Sequence, residues 1–97
     1  MQCCDERKKE RTEEEYRSLK NRLNRIEGQV RGITKMVDGN AYCVDILTQV
    51  SAIEAALGAF ARELLASHIR SCVTEDIKNG KNETVDELVR TVERLMR

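Results

Sequence analysis

The residues of this chain best suited to chemistry are four cysteines, Cys3, Cys4, Cys43 and Cys72, and a single histidine, His68. His68 precedes Cys72 by four residues, so on a helix the two share one face, a turn apart. Taken singly, a buried cysteine is usually an inert small apolar residue, and a histidine on an apolar face is usually structural. Taken together, a thiolate and an imidazole on one face can be bridged by a single metal ion, and Cys43 offers a second thiolate. Two sulfurs and one nitrogen form a soft set that favours Cu(I) and takes Zn(II) if a fourth ligand is found. The neighbours of the pair are Ser67, Ile69, Arg70 and Ser71, with no acid among them. A closed three-coordinate site therefore suits Cu(I) better than a catalytic zinc. Tyr42, beside Cys43, is a candidate hydrogen-bond donor to the ligands or, equally, an apolar interface residue. Residues 1–15 are polar and charged, unlike a signal peptide, which places these thiols in a cytoplasmic setting of metal or redox chemistry rather than in a disulfide framework.

The elements that would carry these groups are helical. The 97 residues are 40% hydrophobic and 35% charged, with no Pro or Trp and one Phe, a balance that favours long helices and a single domain. Thr12 and Glu15 form a capping box. Behind it Leu19, Leu23, Ile26, Val30, Ile33 and Val37 step by four and three, a heptad seam. Gly39, in Asp38-Gly39-Asn40, supplies the stop. A second seam, Ile46, Val50, Ile53, Leu57, Phe60 and Leu64, belongs to a helix starting near Ala41 and running unbroken to about Ile77. After Lys78-Asn79-Gly80, a second capping box at Thr84 and Glu87 opens a short helix with Val85, Leu88, Val92 and Leu95 inward. Residues 1–11 form a flexible tail, and residues 12–97 form one domain. No run of about 18 apolar residues is expected, hence no membrane span.

Helix length decides what Cys43 can do. It lies 25 residues before His68, which on one continuous helix is about 37 Å. One chain cannot bring the three donors to one metal, but an antiparallel second copy can. Its two-fold axis would fall near Ala55-Ala56-Leu57-Gly58-Ala59, the smallest-residue stretch, where two backbones can approach closely. The expected architecture is all-α, a three-helix protomer in an antiparallel dimeric bundle, with Cys43 of one chain facing His68 and Cys72 of the other. The uncovered apolar seam of the long helix asks for the same partner.

The net charge of zero conceals a segregation. Residues 17–35 hold Arg17, Lys20, Arg22, Arg25, Arg31 and Lys35 against one acid, Glu27. Such a helix suits a polyanion through counterion release, although a charged stretch can also be a solvated face. Neither a helix-turn-helix signature nor interleaved aromatics are present. No nucleophile–base pair or carboxylate dyad suggests an enzyme. A redox-sensing DNA regulator, a copper buffer and a structural coiled coil are the other classes these features allow.

The stretch Leu23-Asn24-Arg25-Ile26-Glu27-Gly28-Gln29-Val30-Arg31-Gly32-Ile33, with Cys43 and His68-Ile69-Arg70-Ser71-Cys72-Val73, resembles the copper-sensitive operon repressor (CsoR) family over residues 16–96. The resemblance implies a helical dimer pairing into a tetramer. It implies an apo form bound to double-stranded operator DNA and released when Cu(I) fills the intersubunit sites of Cys43, His68 and Cys72, derepressing copper-resistance genes. Lys20, Arg22, Arg25, Arg31 and Lys35 would carry the DNA contacts, Arg22, Arg25 and Arg31 above all. Tyr42 would support the ligands, and Glu87 would link the metal-bound histidine to the allosteric change. Nickel and cobalt relatives use more histidines, and persulfide-sensing relatives lack the one found here. A thiol- or persulfide-sensing regulator of the same fold is the alternative.

Overall fold

The computed structural model describes residues 11–96, which form helices joined by short turns, with no strand among them. The helices are α1 (Glu13–Asp38), α2 (Cys43–Lys78) and α3 (Glu83–Leu95). The chain divides into two compact units, one of Arg11–Leu64 and the other containing the chain from Leu65 onward.

In the first unit, the Thr12 hydroxyl accepts the Glu15 N–H at 3.1 Å, so the first capping box forms as expected. Glu13, Glu14 and Glu15 in the first turn and Lys35 in the last suit the helix dipole. The stop differs in detail from expectation. Gly39 keeps a right-handed φ of −89°, and Asn40 takes the left-handed position at φ 55°. The Ala41 N–H then donates to the Met36 carbonyl at 2.9 Å and closes a Schellman motif. Asparagine tolerates this conformation better than most non-glycine residues. Within the α1 seam, Leu19 and Ile26 are buried, whereas the intervening Leu23, Val30 and Val37 are exposed. No residue of the Cys43–His68 run is fully buried, and Leu57 is 46% exposed. One column of the seam is thus covered and its neighbour left open.

The second unit holds the one break in α2. Residues Ile69–Val73 form a π-helical turn, and α-helix resumes over Thr74–Lys78. The expected unbroken helix therefore carries an insertion-like widening. The Thr74 hydroxyl donates to the Ile69 carbonyl at 2.7 Å, and the Ser71 hydroxyl to the Ser67 carbonyl at 2.7 Å. Cys72 and Val73, inside this turn, are buried. Gly80 takes the left-handed position at φ 78° after α2, as its sequence context predicts.

The second capping box does not form. Asn82 occupies the N-cap position of α3 without a side-chain cap bond. The Thr84 hydroxyl instead donates to Asp76 Oδ2 at 2.6 Å. Because α3 starts at Glu83, Thr84 already lies inside the helix and is not at the capping position, and its hydroxyl hydrogen goes to the acid eight residues earlier. On α3, Leu88 and Val92 are half-buried while Val85 and Leu95 are exposed, which corrects the expectation that all four point inward.

By length and composition α2 is long and apolar enough to cross a membrane, contrary to the expectation that no such stretch exists. Its first 18 residues hold only Asp45 and Glu54 as charged groups. A helix lying between other helices of an assembly has the same composition.

Candidate metal centre and polyanion face

Cys43 opens α2 as an exposed, free thiol. Tyr42 stands immediately before the helix and is 70% exposed. Its carbonyl accepts the N–H groups of Asp45 and Ile46 at 3.0 and 3.2 Å, so its backbone anchors the first turn beside the thiol.

His68 is the last residue of the α-helical run and is half-buried. The π-turn begins at the next residue, so His68 stands just before the widened turn and Cys72 lies inside it, where a regular α-helical turn was expected. Cys72 is fully buried, at 0% exposure, and is disulfide-bonded. Its Sγ lies 3.8 Å from Ser71 Oγ. Cys3 and Cys4, read as part of the tail, lie outside the described residues. Glu87 is half-buried on α3, where its carbonyl accepts the Thr91 hydroxyl at 2.9 Å.

Cys43 and His68 are the first and last residues of one 26-residue α-helical run. Among the described residues, no group of three or more His, Cys, Asp or Glu side chains is placed to hold a metal ion. A single chain therefore brings His68 and Cys72 to one stretch of helix but leaves Cys43 at the other end. The donor set itself fits a soft monovalent metal, two sulfurs and one imidazole nitrogen, provided that Cys72 is reduced.

The basic side chains of α1 divide by partner. Lys20, Arg25 and Lys35 are exposed and make no ion pair among the described residues. Arg17 pairs with Glu13 at 3.4 Å and Arg31 with Glu27 at 3.3 Å, both one turn away on the same helix and well exposed. Such pairs are weak and give way readily to a phosphate. Arg22 differs, because its Nε donates to Glu63 Oε2 on α2 at 3.0 Å. The Ser18 hydroxyl donates to the other carboxylate oxygen of Glu63 at 2.7 Å. Sequence reasoning missed Glu63. The available signal was that Ser18 and Arg22 stand four residues apart and so present a joint grip to one acid.

Residues 15–94 match the family described as metal-sensitive transcriptional repressor. The chain is 49% identical over 73 residues to the copper-sensing transcriptional repressor CsoR of Bacillus subtilis, covering 75% of this chain and 72% of that protein. It is 49% identical over 59 residues to the copper-sensing transcriptional repressor RicR of Mycobacterium tuberculosis, covering 61% and 62% of the two. Among solved structures, the Cu(I)-bound copper-sensing repressor CsoR of Geobacillus thermodenitrificans superposes with a TM-score of 0.85 at 45% identity, covering 91% of this chain and 93% of that one. The nickel-responsive transcriptional regulator InrS is similar at a TM-score of 0.69 and 38% identity, over 81% and 90% of the two chains.

Proposed function

Since the chain belongs to the metal-sensitive transcriptional repressor family, a family of regulators and not of enzymes, we propose that it is a Cu(I)-responsive repressor. Its apo form binds operator DNA, and Cu(I) releases it. The observation that carries this reading is the donor set on α2: Cys43 at its start, and His68 and Cys72 around the π-turn. In this reading residues 12–97 act as one domain in the cytoplasm, and antiparallel α2 helices of two protomers join Cys43 of one to His68 and Cys72 of the other. Dimers pair into a tetramer. Two relatives and one similar structure named as copper-sensing support copper over nickel, as does the chain's single histidine.

Bound Cu(I) would supply a bond network that ties two protomers together. The protein's own groups do the rest. Cys43 and Cys72 give up their protons to become ligands. His68 uses one ring nitrogen for the metal and offers the other to Glu87, and Tyr42 supports the Cys43 end. Lys20, Arg22, Arg25, Arg31 and Lys35 bind phosphates of double-stranded DNA. The coupling is reciprocal, so DNA weakens Cu(I) binding by the factor by which Cu(I) weakens DNA binding. The test titrates Cu(I) into reduced protein on a duplex from upstream of its own gene, with both occupancies read in the same samples. DNA release as copper fills the sites is expected, and unchanged DNA affinity at copper saturation overturns the proposal.

The disulfide at Cys72 favours a second reading, a thiol- or persulfide-sensing regulator of the same fold. Mass spectrometry after persulfide treatment without copper, paired with DNA binding, separates the two: release of DNA on thiol modification alone supports this reading.

A further inference from the structure

The proposed function puts its two chemistries on different helices, phosphate binding on α1 and metal ligands on α2. Glu63 bridges them. Both of its carboxylate oxygens are engaged by α1, Oε1 by the Ser18 hydroxyl at 2.7 Å and Oε2 by Arg22 Nε at 3.0 Å. Ser18 and Arg22 lie one turn apart, so they hold the acid from two sides. Of the basic side chains in residues 17–35, Arg22 is the one whose described ion pair reaches another helix. The acid stands five residues before His68 on the same α-helical run.

We propose that Glu63 is a positioning residue for DNA binding: it holds the Arg22 guanidinium on α2 in the DNA-free protein and yields it to a phosphate in the complex. The inference rests on the DNA-binding reading above and adds a group that competes with the operator. Arg22 and Glu63 side chains are 42% and 31% exposed, so the pair is solvent-screened and exchangeable rather than locked. A phosphate offers Arg22 a bidentate partner, whereas its charge-assisted bond to Glu63 runs through Nε alone. The Glu63 carboxylate also adds a negative charge beside a surface meant for a polyanion. Removing that charge while keeping the acceptor for Ser18 should therefore strengthen DNA binding.

The experiment compares wild type, Glu63→Gln, Arg22→Ala and the double variant on the duplex from upstream of the gene and on an unrelated duplex of equal length, across a salt series. Glu63→Gln is expected to bind both duplexes about two- to fivefold more tightly, the range of a screened ion pair. Its plot of log affinity against log salt should keep the wild-type slope, because Arg22 meets the same phosphate in both complexes, whereas the Arg22→Ala plot should be shallower by about 0.9, the increment for one phosphate contact. Arg22→Ala should weaken binding, and Glu63→Gln should have little effect in that background. A merely structural role for Glu63 would change affinity equally with and without Arg22. Equal affinity for wild type and Glu63→Gln, an Arg22→Ala slope equal to that of wild type, or the same gain without Arg22, overturns the inference. In that case a wild type that binds DNA and releases it with Cu(I) leaves the repressor reading intact, whereas a wild type that binds no duplex overturns both. Should Glu63→Gln lose its helical circular dichroism, Ser18→Ala carries the test. It loosens the same carboxylate, and a smaller gain in affinity is expected; unchanged affinity overturns the inference.

Discussion

A thiol in a disulfide has no lone proton to release and no free thiolate to give a metal, so the state of Cys72 governs whether the candidate site can form. Reduction adds two electrons and two protons and returns two thiols. Protein kept with its disulfide is expected to take up little Cu(I) in competition with a colorimetric Cu(I) chelator, and anaerobically reduced protein a full equivalent per chain. Equal uptake by both forms would remove Cys72 from the ligand set. The individual donors separate by magnitude. Loss of an outer hydrogen-bonding partner typically costs about 10- to 100-fold in metal affinity. Tyr42→Phe and Glu87→Gln should fall within that span, and Cys43→Ala, His68→Ala and Cys72→Ala should exceed it and stay on DNA when copper is added. Glu87→Gln carries the relay as well. If that variant binds Cu(I) and releases DNA as wild type does, the link from His68 to the last helix is wrong.

At the scale of elements, the two hydroxyls that look alike in sequence do different work. Thr12 caps α1, so Thr12→Ala should lower stability by about 1 kcal/mol in urea unfolding. Thr84 ties the end of α2 to the start of α3 through Asp76. Thr84→Val keeps the shape and deprives a half-buried carboxylate of its donor, which should cost about 1–2 kcal/mol, while Thr84→Ser should restore most of it. If Thr84→Val were neutral, the Asp76 bond would contribute nothing to stability. The contrast shows what was legible beforehand. Helix positions and lengths were, because heptad steps and stop residues are local properties: α1 ends at Asp38 and α2 at Lys78 as the pattern implies. Competition between distant groups was not. Nothing near Thr84 announces Asp76, and nothing near Arg22 announces Glu63. The π-turn changes the hydrogen-bond step without altering composition, so Ile69–Val73 reads like the helix around it. In the candidate site, the types and spacing of Cys43, His68 and Cys72 were visible, and so was the placing of Cys43 and His68 at the two ends of one helical run.

For the whole molecule the question is what covers the apolar surface that one chain leaves open. Among the described residues only Leu19, Ile26, Cys72 and Val73 are buried hydrophobics, and Leu23, Val30, Val37, Val44, Leu47 and Leu57 remain exposed on α1 and α2. Fully burying one such side chain is worth about 1.5–3 kcal/mol, so this surface holds ample driving force for association. Gly58 points the same way. Within the chain, a Cβ there would meet Arg62 Nη1 at 3.4 Å, an ordinary contact with the far end of a flexible side chain, so one chain alone gives no reason for a mid-helix glycine. Leu57, next to it, lies where the antiparallel two-fold is expected. Leu57→Glu would set a carboxylate against its own copy across that axis, adding like-charge repulsion to the lost apolar burial. The variant is expected to sediment at a lower mass than wild type in analytical ultracentrifugation and to lose the rise of melting temperature with protein concentration that an associating wild type shows. Its Cu(I) affinity should fall with the association, because Cys43 and the pair His68 and Cys72 then belong to separate molecules. A Leu57→Glu protein with unchanged mass and unchanged copper affinity would mean that the donors meet by some route other than paired α2 helices.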